Sequence, residues 1–142
     1  MKSPCQTAIT NLKIAIEKYP DPTLSKEELV AIYDAVYDKR YEVMFNGKRY
    51  NYKHLLQNLL MRDPFQGLYS NFEAEILDNT TFHYTLDFCQ EGMPQSSYKI
   101  HEIATVNPNN GKIISMKTMT GQSVKEIIQF NKKYVDVVEK NI

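Results

Sequence analysis

The sequence predicts an α+β fold in which several helices pack on one mostly antiparallel sheet. Two helical segments come first, a short helix follows one strand, and four strands then run in succession before a last helix. Turn residues separate these strands, which is typical of antiparallel neighbours joined by short connections. Helices that are segregated from a run of strands favour α+β over a doubly wound sheet. With 142 residues, the chain is expected to form a single domain, residues 1–142.

The two N-terminal helices have clear start signals. Ser3 is followed three residues later by Gln6, and Ser25 by Glu28, so both helices are expected to begin with a capping box. Pro20 ends the first helical pattern, since proline cannot continue a helix. Apolar residues recur at helical spacing in both segments, which predicts one buried face for each helix.

The remaining elements follow from shorter patterns. A strand is predicted at residues 41–45, ended by Asn46-Gly47, and a leucine-rich helix at about residues 52–62. An appended C-terminal helix is expected over residues 123–140, because Ser123 and Glu126 form a third capping box. The four consecutive strands are predicted at residues 69–77, 81–89, 97–106 and 112–119.

Period-two alternation assigns the two faces of the predicted sheet. One face of the strand at 81–89 is aromatic and aliphatic, whereas the other carries His83, Thr85 and Asp87. The apolar set is therefore expected to face inward, and the same parity applies to the neighbouring strands. The inward residues predicted in this way are Phe72, Ala74, Ile76, Phe82, Tyr84, Leu86, Phe88, Tyr98, Ile100, Ala104, Val106, Ile114, Met116 and Thr118.

One acidic residue breaks this alternation. Glu102 lies between Ile100 and Ala104 on a face that is otherwise apolar. A carboxylate there either reaches solvent, through a local twist or a surface ion pair, or lies in a cavity where burial raises its pKa. Both interpretations stay open, but perturbed acids cluster at functional sites. Glu102 is therefore the candidate catalytic residue.

Composition argues against several partners and locations. The 17 Lys and Arg residues balance 17 Asp and Glu residues, and residues 68–96 hold five acids and no Lys or Arg, so nucleic-acid binding is not expected. No segment approaches the ~20 apolar residues of a membrane span, and the N-terminus lacks the apolar core of a secretory signal. Cys5 and Cys89 lack metal or redox spacing, which indicates free thiols in a reducing compartment. A cytoplasmic protein without membrane association is expected.

Motifs of well-known chemistries are missing from the sequence. His54, His83 and His101 show no His-x-x-x-His spacing, and two of them fall on outward strand faces, so solvated histidines are expected. There is no glycine-rich phosphate loop, nucleophile elbow or Cys–His arrangement. Neither a metal site nor a cofactor is predicted.

Three stretches resemble elements of one known superfamily. Residues 29–34, Leu-Val-Ala-Ile-Tyr-Asp, resemble a helix-ending signature of the nuclear-transport-factor-2-like superfamily, which includes SnoaL-like and ketosteroid-isomerase-like proteins. Asn46-Gly47 before a leucine-rich helix resembles its next element. Residues 104–113, with Gly111-Lys112-Ile113 after the turn, resemble its final hairpin. The resemblance covers about residues 6–120 and rests on the order of these stretches.

The resemblance implies a cone-shaped, curved sheet that is wrapped by the N-terminal helices and lined by the inward strand faces. In ketosteroid-isomerase-like members an acid on the penultimate strand donates a hydrogen bond to a developing oxyanion, and Glu102 is the residue at the resembling position. The first strand, however, ends Val43-Met44-Phe45 where those enzymes place a carboxylate base. Leu12 and Ile16 occupy the helix positions where a tyrosine is expected. A steroid-isomerase reaction is therefore not expected.

Three functions fit these observations. The first is a pocket protein that binds a small, largely apolar molecule in the cone without a complete catalytic set. The second is an enzyme of isomerase, cyclase or dehydratase type with Glu102 as acid or base. The third is a dimerising module with an inert cone. The predicted ligand-binding residues are Tyr33, Phe72, Tyr84, Phe88, Tyr98, Glu102 and Met116. The tyrosines among them either direct their hydroxyls into the cone or are large core residues.

A homodimer is the expected assembly. Related folds often dimerise through the outer sheet face, and the outward residues His83, Thr85, Ile103 and Thr105 are mixed enough in polarity for a modest interface. The appended helix is expected either to close the mouth of the cone or to extend this contact.

Overall fold

A computed structural model describes residues 2–19, 21, 23–45, 48–61, 67–90 and 93–118. At residues 44, 45, 48, 58–61, 67–69, 88–90, 93–98 and 118 it defines the backbone alone. The predicted helix at 123–140 lies outside the described residues. The elements in chain order are α1 (Pro4–Lys18), α2 (Lys26–Val36), β1 (Glu42–Phe45), β2 (Lys48–Asn51), α3 (Tyr52–Met61), β3 (Gly67–Asp78), β4 (Thr81–Gln90), β5 (Met93–Val106) and β6 (Ile113–Thr118).

The four long strands form one antiparallel sheet with the order β3-β4-β5-β6. β1 and β2 pair with each other as a separate antiparallel hairpin. The α+β class with a mostly antiparallel sheet is therefore confirmed. β2 was not predicted, because its four residues include two bases and show no apolar alternation. Among the described residues, no helix combines the length and apolar content that a bilayer crossing needs.

Two of the three predicted capping boxes are present, and the third lies outside the described residues. The Ser3 hydroxyl accepts from the Gln6 backbone N–H at 3.2 Å, and the Gln6 side chain accepts from the Ser3 N–H at 2.9 Å. Ser25 and Glu28 make the same reciprocal pair at 3.1 and 3.3 Å. These bonds satisfy N–H groups that a helix start otherwise leaves unpaired, which fixes where α1 and α2 begin.

The core lies between the two N-terminal helices and the inner face of the sheet. The predicted inward face of β4 is buried, with Phe82, Tyr84 and Leu86 between 0% and 5% exposed. Burial of large apolar side chains of this kind, at about 1.5–3 kcal/mol each, is the main force that holds helices on a sheet. The other residues of this cluster are Cys5, Ala8, Leu12, Ala15, Val36, Tyr37, Tyr41, Ala104, Val106 and Ile113.

One prediction about inward residues is right for the face of the sheet but not for burial, and a second one is wrong. Ala74 and Ile76 lie opposite Tyr84 and Phe82 and so share their face, but β3 is at the edge of the described sheet and Ile76 is 40% exposed. In β6 the pairing with β5 shifts next to Val106, so Ile113 rather than Ile114 is fully buried. An irregularity of this kind reverses which side chains face the core, and the sequence period does not reveal it.

A second irregularity bends β3. The register shifts between Ser70 and Glu73, and Asn71 adopts a left-handed backbone conformation with φ of 55°. Its side-chain amide donates to the Asp87 carboxylate of β4 at 2.7 Å. Asparagine tolerates this conformation better than most residues, and a bulge increases the local twist. The bulge therefore contributes to the curvature of the sheet beside Phe72.

A buried carboxylate joins the end of α2 to the β5–β6 connection. Asp38, with a side chain 8% exposed, accepts from the side-chain amides of Asn107 at 3.0 Å and Asn110 at 2.8 Å. It also accepts from the Arg40 backbone N–H at 2.8 Å. Its own N–H donates to the carbonyl of Ile113 at 2.9 Å. These bonds, led by that of Asn110, hold the pKa of the Asp38 carboxyl well below its usual range.

We predict that Asp38→Asn lowers the free energy of unfolding by about 2 kcal/mol, because in either orientation the amide NH2 would face N–H donors, those of Asn107 and Asn110 or that of Arg40. The control is Asp78→Asn. Asp78 likewise accepts from the backbone N–H two residues on, that of Thr80, but is exposed. Denaturant titrations at pH 7 should separate the two variants, and equal losses would contradict the role of the buried network.

The lowered pKa of Asp38 also predicts how the stability of the protein depends on pH. A carboxyl whose folded pKa lies below its unfolded value of about 3.9 stabilises the protein above that pH and loses its contribution as pH falls toward the folded pKa. The stability difference between wild type and Asp38→Asn should therefore shrink below about pH 4.

Candidate functional site

The inner face of the sheet brings Glu102 of β5 beside Tyr84 of β4. The two residues are direct partners in the antiparallel register, so their side chains leave the same face of the sheet. Met116 of β6 lies opposite the neighbouring Ala104 on that face. The ring of Phe72, from β3, has its centroid 5.6 Å from that of Tyr84. Four strands thus contribute to one aromatic surface with a single carboxyl group described within it.

A hydrogen bond links the two central side chains. The Tyr84 hydroxyl donates to Oε2 of Glu102 at 3.1 Å and also approaches the Met116 sulfur at 3.6 Å. The hydroxyl has one proton, and a carboxylate is a much stronger acceptor than a thioether. The bond to Glu102 therefore dominates, and among the described residues no side chain donates to Oε1 of Glu102.

A row of tyrosines faces this pair from the helical side. The rings of Tyr33 and Tyr37 stack at 6.0 Å with 13° between their planes, and the ring of Tyr41 meets that of Tyr37 edge-on at 4.9 Å. Burial, and then the nearby charge of Glu102, raise the pKa of Tyr41. Tyr41 therefore lies near the carboxyl group, and Tyr37 lies near Tyr84. Neither residue was predicted to belong to the site. The recurrence of tyrosine every four residues from Tyr33 is nevertheless a pattern that could have indicated it.

Protonation in the site follows from burial. Protein surrounds the Glu102 carboxyl, and this desolvation raises its pKa, while the bond from Tyr84 acts in the opposite direction. Burial also raises the pKa of Tyr84 well above its usual value, with Glu102 the next cause. Tyr84 is therefore a neutral hydroxyl at physiological pH. Glu102 takes up a proton at higher pH than an exposed glutamate does.

A second phenol–carboxylate pair joins α2 to α3. The Tyr52 hydroxyl donates to the Asp34 carboxylate at 2.7 Å, and burial followed by this bond raises the pKa of Tyr52. Tyr52, Val43 and Leu55 pack against the same core cluster as the residues of the sheet. Sequence reasoning missed this pair, because its partners are 18 residues apart on different helices.

Five of the seven predicted ligand-binding residues have described side chains, and these lie together at the core. Tyr84 belongs to the core cluster, Tyr33, Phe72 and Met116 pack against it, and Glu102 joins it through Tyr84. Phe88 and Tyr98 are direct register partners four residues further along β4 and β5, with side chains outside the described ones.

Metal-ligating groups do not gather at this site. No cluster of three or more His, Cys, Asp or Glu side chains is arranged to hold an ion anywhere in the described part of the chain. Its described chemistry is that of a carboxyl group, phenols and aromatic faces.

We predict that the Glu102 carboxyl titrates above the reference value of about 4.3. Because an acid with a raised folded pKa destabilises the fold when it ionises, Glu102→Gln should be at least as stable as wild type at pH 7. This difference should disappear below about pH 4. The measurements are an NMR titration of the carboxyl carbon and unfolding at both pH values, with Glu73→Gln on the exposed edge strand as control. A midpoint near pH 4 would show that the carboxyl is solvated.

Comparison with known proteins bears on the fold. No protein-family model matches the sequence, and no curated protein matches it. A de novo designed NTF2-fold protein, 10% identical, superposes with a TM-score of 0.58 over 86% of this chain and 90% of its own. A candidate polyketide cyclase from Xanthomonas campestris pv. campestris, 12% identical, gives 0.57 over 93% and 99%. A second candidate polyketide cyclase, from Pseudomonas putida KT2440 and 10% identical, gives 0.56 over 87% and 96%. The resemblance noted in the sequence is thus confirmed at the level of architecture: the chain has the nuclear-transport-factor-2-like fold.

Proposed function

We propose that this protein binds a small, largely apolar molecule in the cone between the helices and the inner face of the sheet, with Glu102 as its polar anchor. The observation that carries the proposal is the setting of that carboxyl group. Burial of Glu102 is sufficient to raise its pKa, yet the residue is only half-buried. A group can have both properties when it borders a recess, which is where a ligand would replace water.

The chemistry of the site favours a neutral ligand with a hydrogen-bond acceptor. When Glu102 is protonated, Tyr84 still donates to Oε2 and the acid proton on Oε1 can be donated to a carbonyl or hydroxyl oxygen. An anionic ligand would repel the ionised form of Glu102. The faces of Phe72 and Tyr84 supply apolar contact, which is the usual composition of small-molecule sites.

The structural neighbours support the same class of function. Two of them are described as candidate polyketide cyclases, which is compatible with a small molecule in the cone. The likeness concerns architecture, so the identity of a ligand rests on the residues of this chain.

We predict that a neutral aromatic ketone, 2-acetylnaphthalene, binds and shifts the NMR signals of Tyr84, Glu102 and Met116. Glu102→Ala should weaken this binding by about 1–3 kcal/mol, since the ligand carbonyl loses its donor. Glu102→Gln retains an N–H donor of similar shape and should keep most of the affinity. The measurement is a chemical-shift titration of each variant.

The matched control is Glu73→Ala, which removes an exposed acid from the edge strand and should leave the affinity unchanged. 2-Naphthoate, the anionic counterpart, should bind more weakly as the pH is raised, because Glu102 ionises. Shifts confined to the outer face of the sheet, or equal affinity in Glu102→Ala, would refute the proposal.

Proton-transfer catalysis is the second candidate. It is favoured by one observation, the hydrogen bond between Tyr84 and Glu102, which places two titratable groups in contact. Because its pKa is raised well above 10, Tyr84 serves as a donor to developing negative charge rather than as a base. Glu102, whose own pKa is raised toward neutrality, would be the base.

Deuterium exchange separates catalysis from binding. If Glu102 abstracts a proton α to a carbonyl, the methyl protons of bound 2-acetylnaphthalene should exchange in D₂O faster than the buffer background. Glu102→Gln should abolish the excess exchange while the ketone still binds. If the wild-type protein binds the ketone without excess exchange, the binding function stands and this proton-transfer reaction is rejected.

A dimerising module with an inert cone is the remaining alternative. It requires that no ketone binds to the inner face, while the chain of 16.5 kDa sediments as a dimer. The homodimer itself, through the outer sheet face, is compatible with a ligand in the cone and is proposed alongside it. The cytoplasmic location also stays a prediction, made from the free thiols.

A further inference from the structure

A line of three side chains crosses the outer face of the sheet, on the side opposite Glu102. Nδ1 of His83, on β4, lies 3.2 Å from Nε2 of His101 on β5. Nε2 of His83 lies 3.5 Å from the carboxylate of Glu75, its direct partner on β3. Because His101 pairs with Thr85, the two histidines are diagonal neighbours on adjacent strands.

We infer that His83 and His101 form a binding site for a divalent transition-metal ion such as Zn²⁺, Ni²⁺ or Cu²⁺, with Glu75 as the residue that positions His83. Neutral imidazole nitrogens are favoured ligands of these ions. Two protein nitrogens would bind the ion on one side, and water molecules would complete its coordination on the exposed side.

The nitrogen separation suits chelation. With the ion about 2.0–2.1 Å from both nitrogens, the N–metal–N angle would be about 100°, between the octahedral and tetrahedral values. The ring planes of His83 and His101 are inclined by 55°. Modest rotation about the soft χ2 torsions would direct both lone pairs to one point beside the line that joins them.

Glu75 favours the ligating form of His83. A carboxylate that accepts from Nε2–H keeps the ring proton on that nitrogen, which leaves the Nδ1 lone pair directed toward His101. Without an ion, Nε2–H of His101 donates to this lone pair; when an ion binds, the ring proton of His101 must lie on its Nδ1 so that Nε2 can ligate. Metal-bound histidines commonly have a carboxylate in this relation to their second nitrogen. The 3.5 Å contact would shorten once the ring carries the charge of a bound ion.

Exposure and charge also suit a cation. The His83 side chain is 28% exposed and that of Glu75 is 74% exposed, so an ion can reach the pair from solvent. Glu73 lies on the same face of β3, opposite Thr85, and adds negative charge. The amine of Lys99 is held 3.8 Å from Asp87, further along the face.

The test is calorimetric titration of the full chain with Zn²⁺, combined with electron paramagnetic resonance of the Cu²⁺ complex. We expect one ion per chain, or one per two chains if two copies share it through their outer faces. The copper spectrum should show hyperfine coupling to two imidazole nitrogens. His83→Asn and His101→Asn should each abolish this pattern and most of the Zn²⁺ affinity.

Two further variants test the assignment. Glu75→Ala should weaken Zn²⁺ binding about 10-fold but keep the two-nitrogen copper spectrum, as expected of a positioning residue. His54→Asn removes a histidine of α3 and should change neither measurement. Absence of Zn²⁺ binding in wild type, or binding that survives both His83→Asn and His101→Asn, would overturn the site.

Discussion

The buried carboxylate of Asp38 is the constraint on which the arrangement of helices and sheet depends. It holds the chain leaving α2 against the β5–β6 connection through Asn107 and Asn110. The adjacent Tyr37 bridges to Ile113 of β6. Apolar packing alone allows a helix to slide on a sheet, because it is not directional. Charged hydrogen bonds with fixed geometry allow one position, and so they define the width of the cone at this end.

The position of the chain segment that follows α2 determines which side chains surround Glu102. Tyr37 and Tyr41 flank Asp38 in the chain, so the anchored segment carries their rings to the carboxyl group on β5. Phenols bring apolar faces together with weakly acidic hydroxyls, and they desolvate Glu102 without neutralising it. The consequence is an acid that takes up a proton at higher pH than an exposed glutamate and accepts a hydrogen bond from Tyr84.

Local signals in the sequence predicted the helix starts and the inner faces of β4 and β5, since capping and alternation are short-range properties. The parity that places Glu102 on the inner face agrees with its pairing to Tyr84. Ile114 was wrongly predicted to face inward, because the pairing register shifts beside Val106 and such a shift leaves no periodic signal in the sequence. The contact between His83 and His101 could not be predicted for a related reason: diagonal neighbours are set by the register between strands. The sequence thus named residues of the sheet around Glu102 and Tyr33 of α2, but it did not name Tyr37 or Tyr41.

The bulge at Asn71 has a consequence for how the protein behaves in concentrated solution. β3 is an edge of the described sheet and presents Ile76 and Leu77, 40% and 51% exposed, beside unpaired backbone groups. A flat apolar edge of this kind invites another chain to add a strand and so begin aggregation. The bulge twists the edge, and Glu73 and Glu75 place charge along it. The same deformation that curves the sheet therefore also resists intermolecular β-pairing.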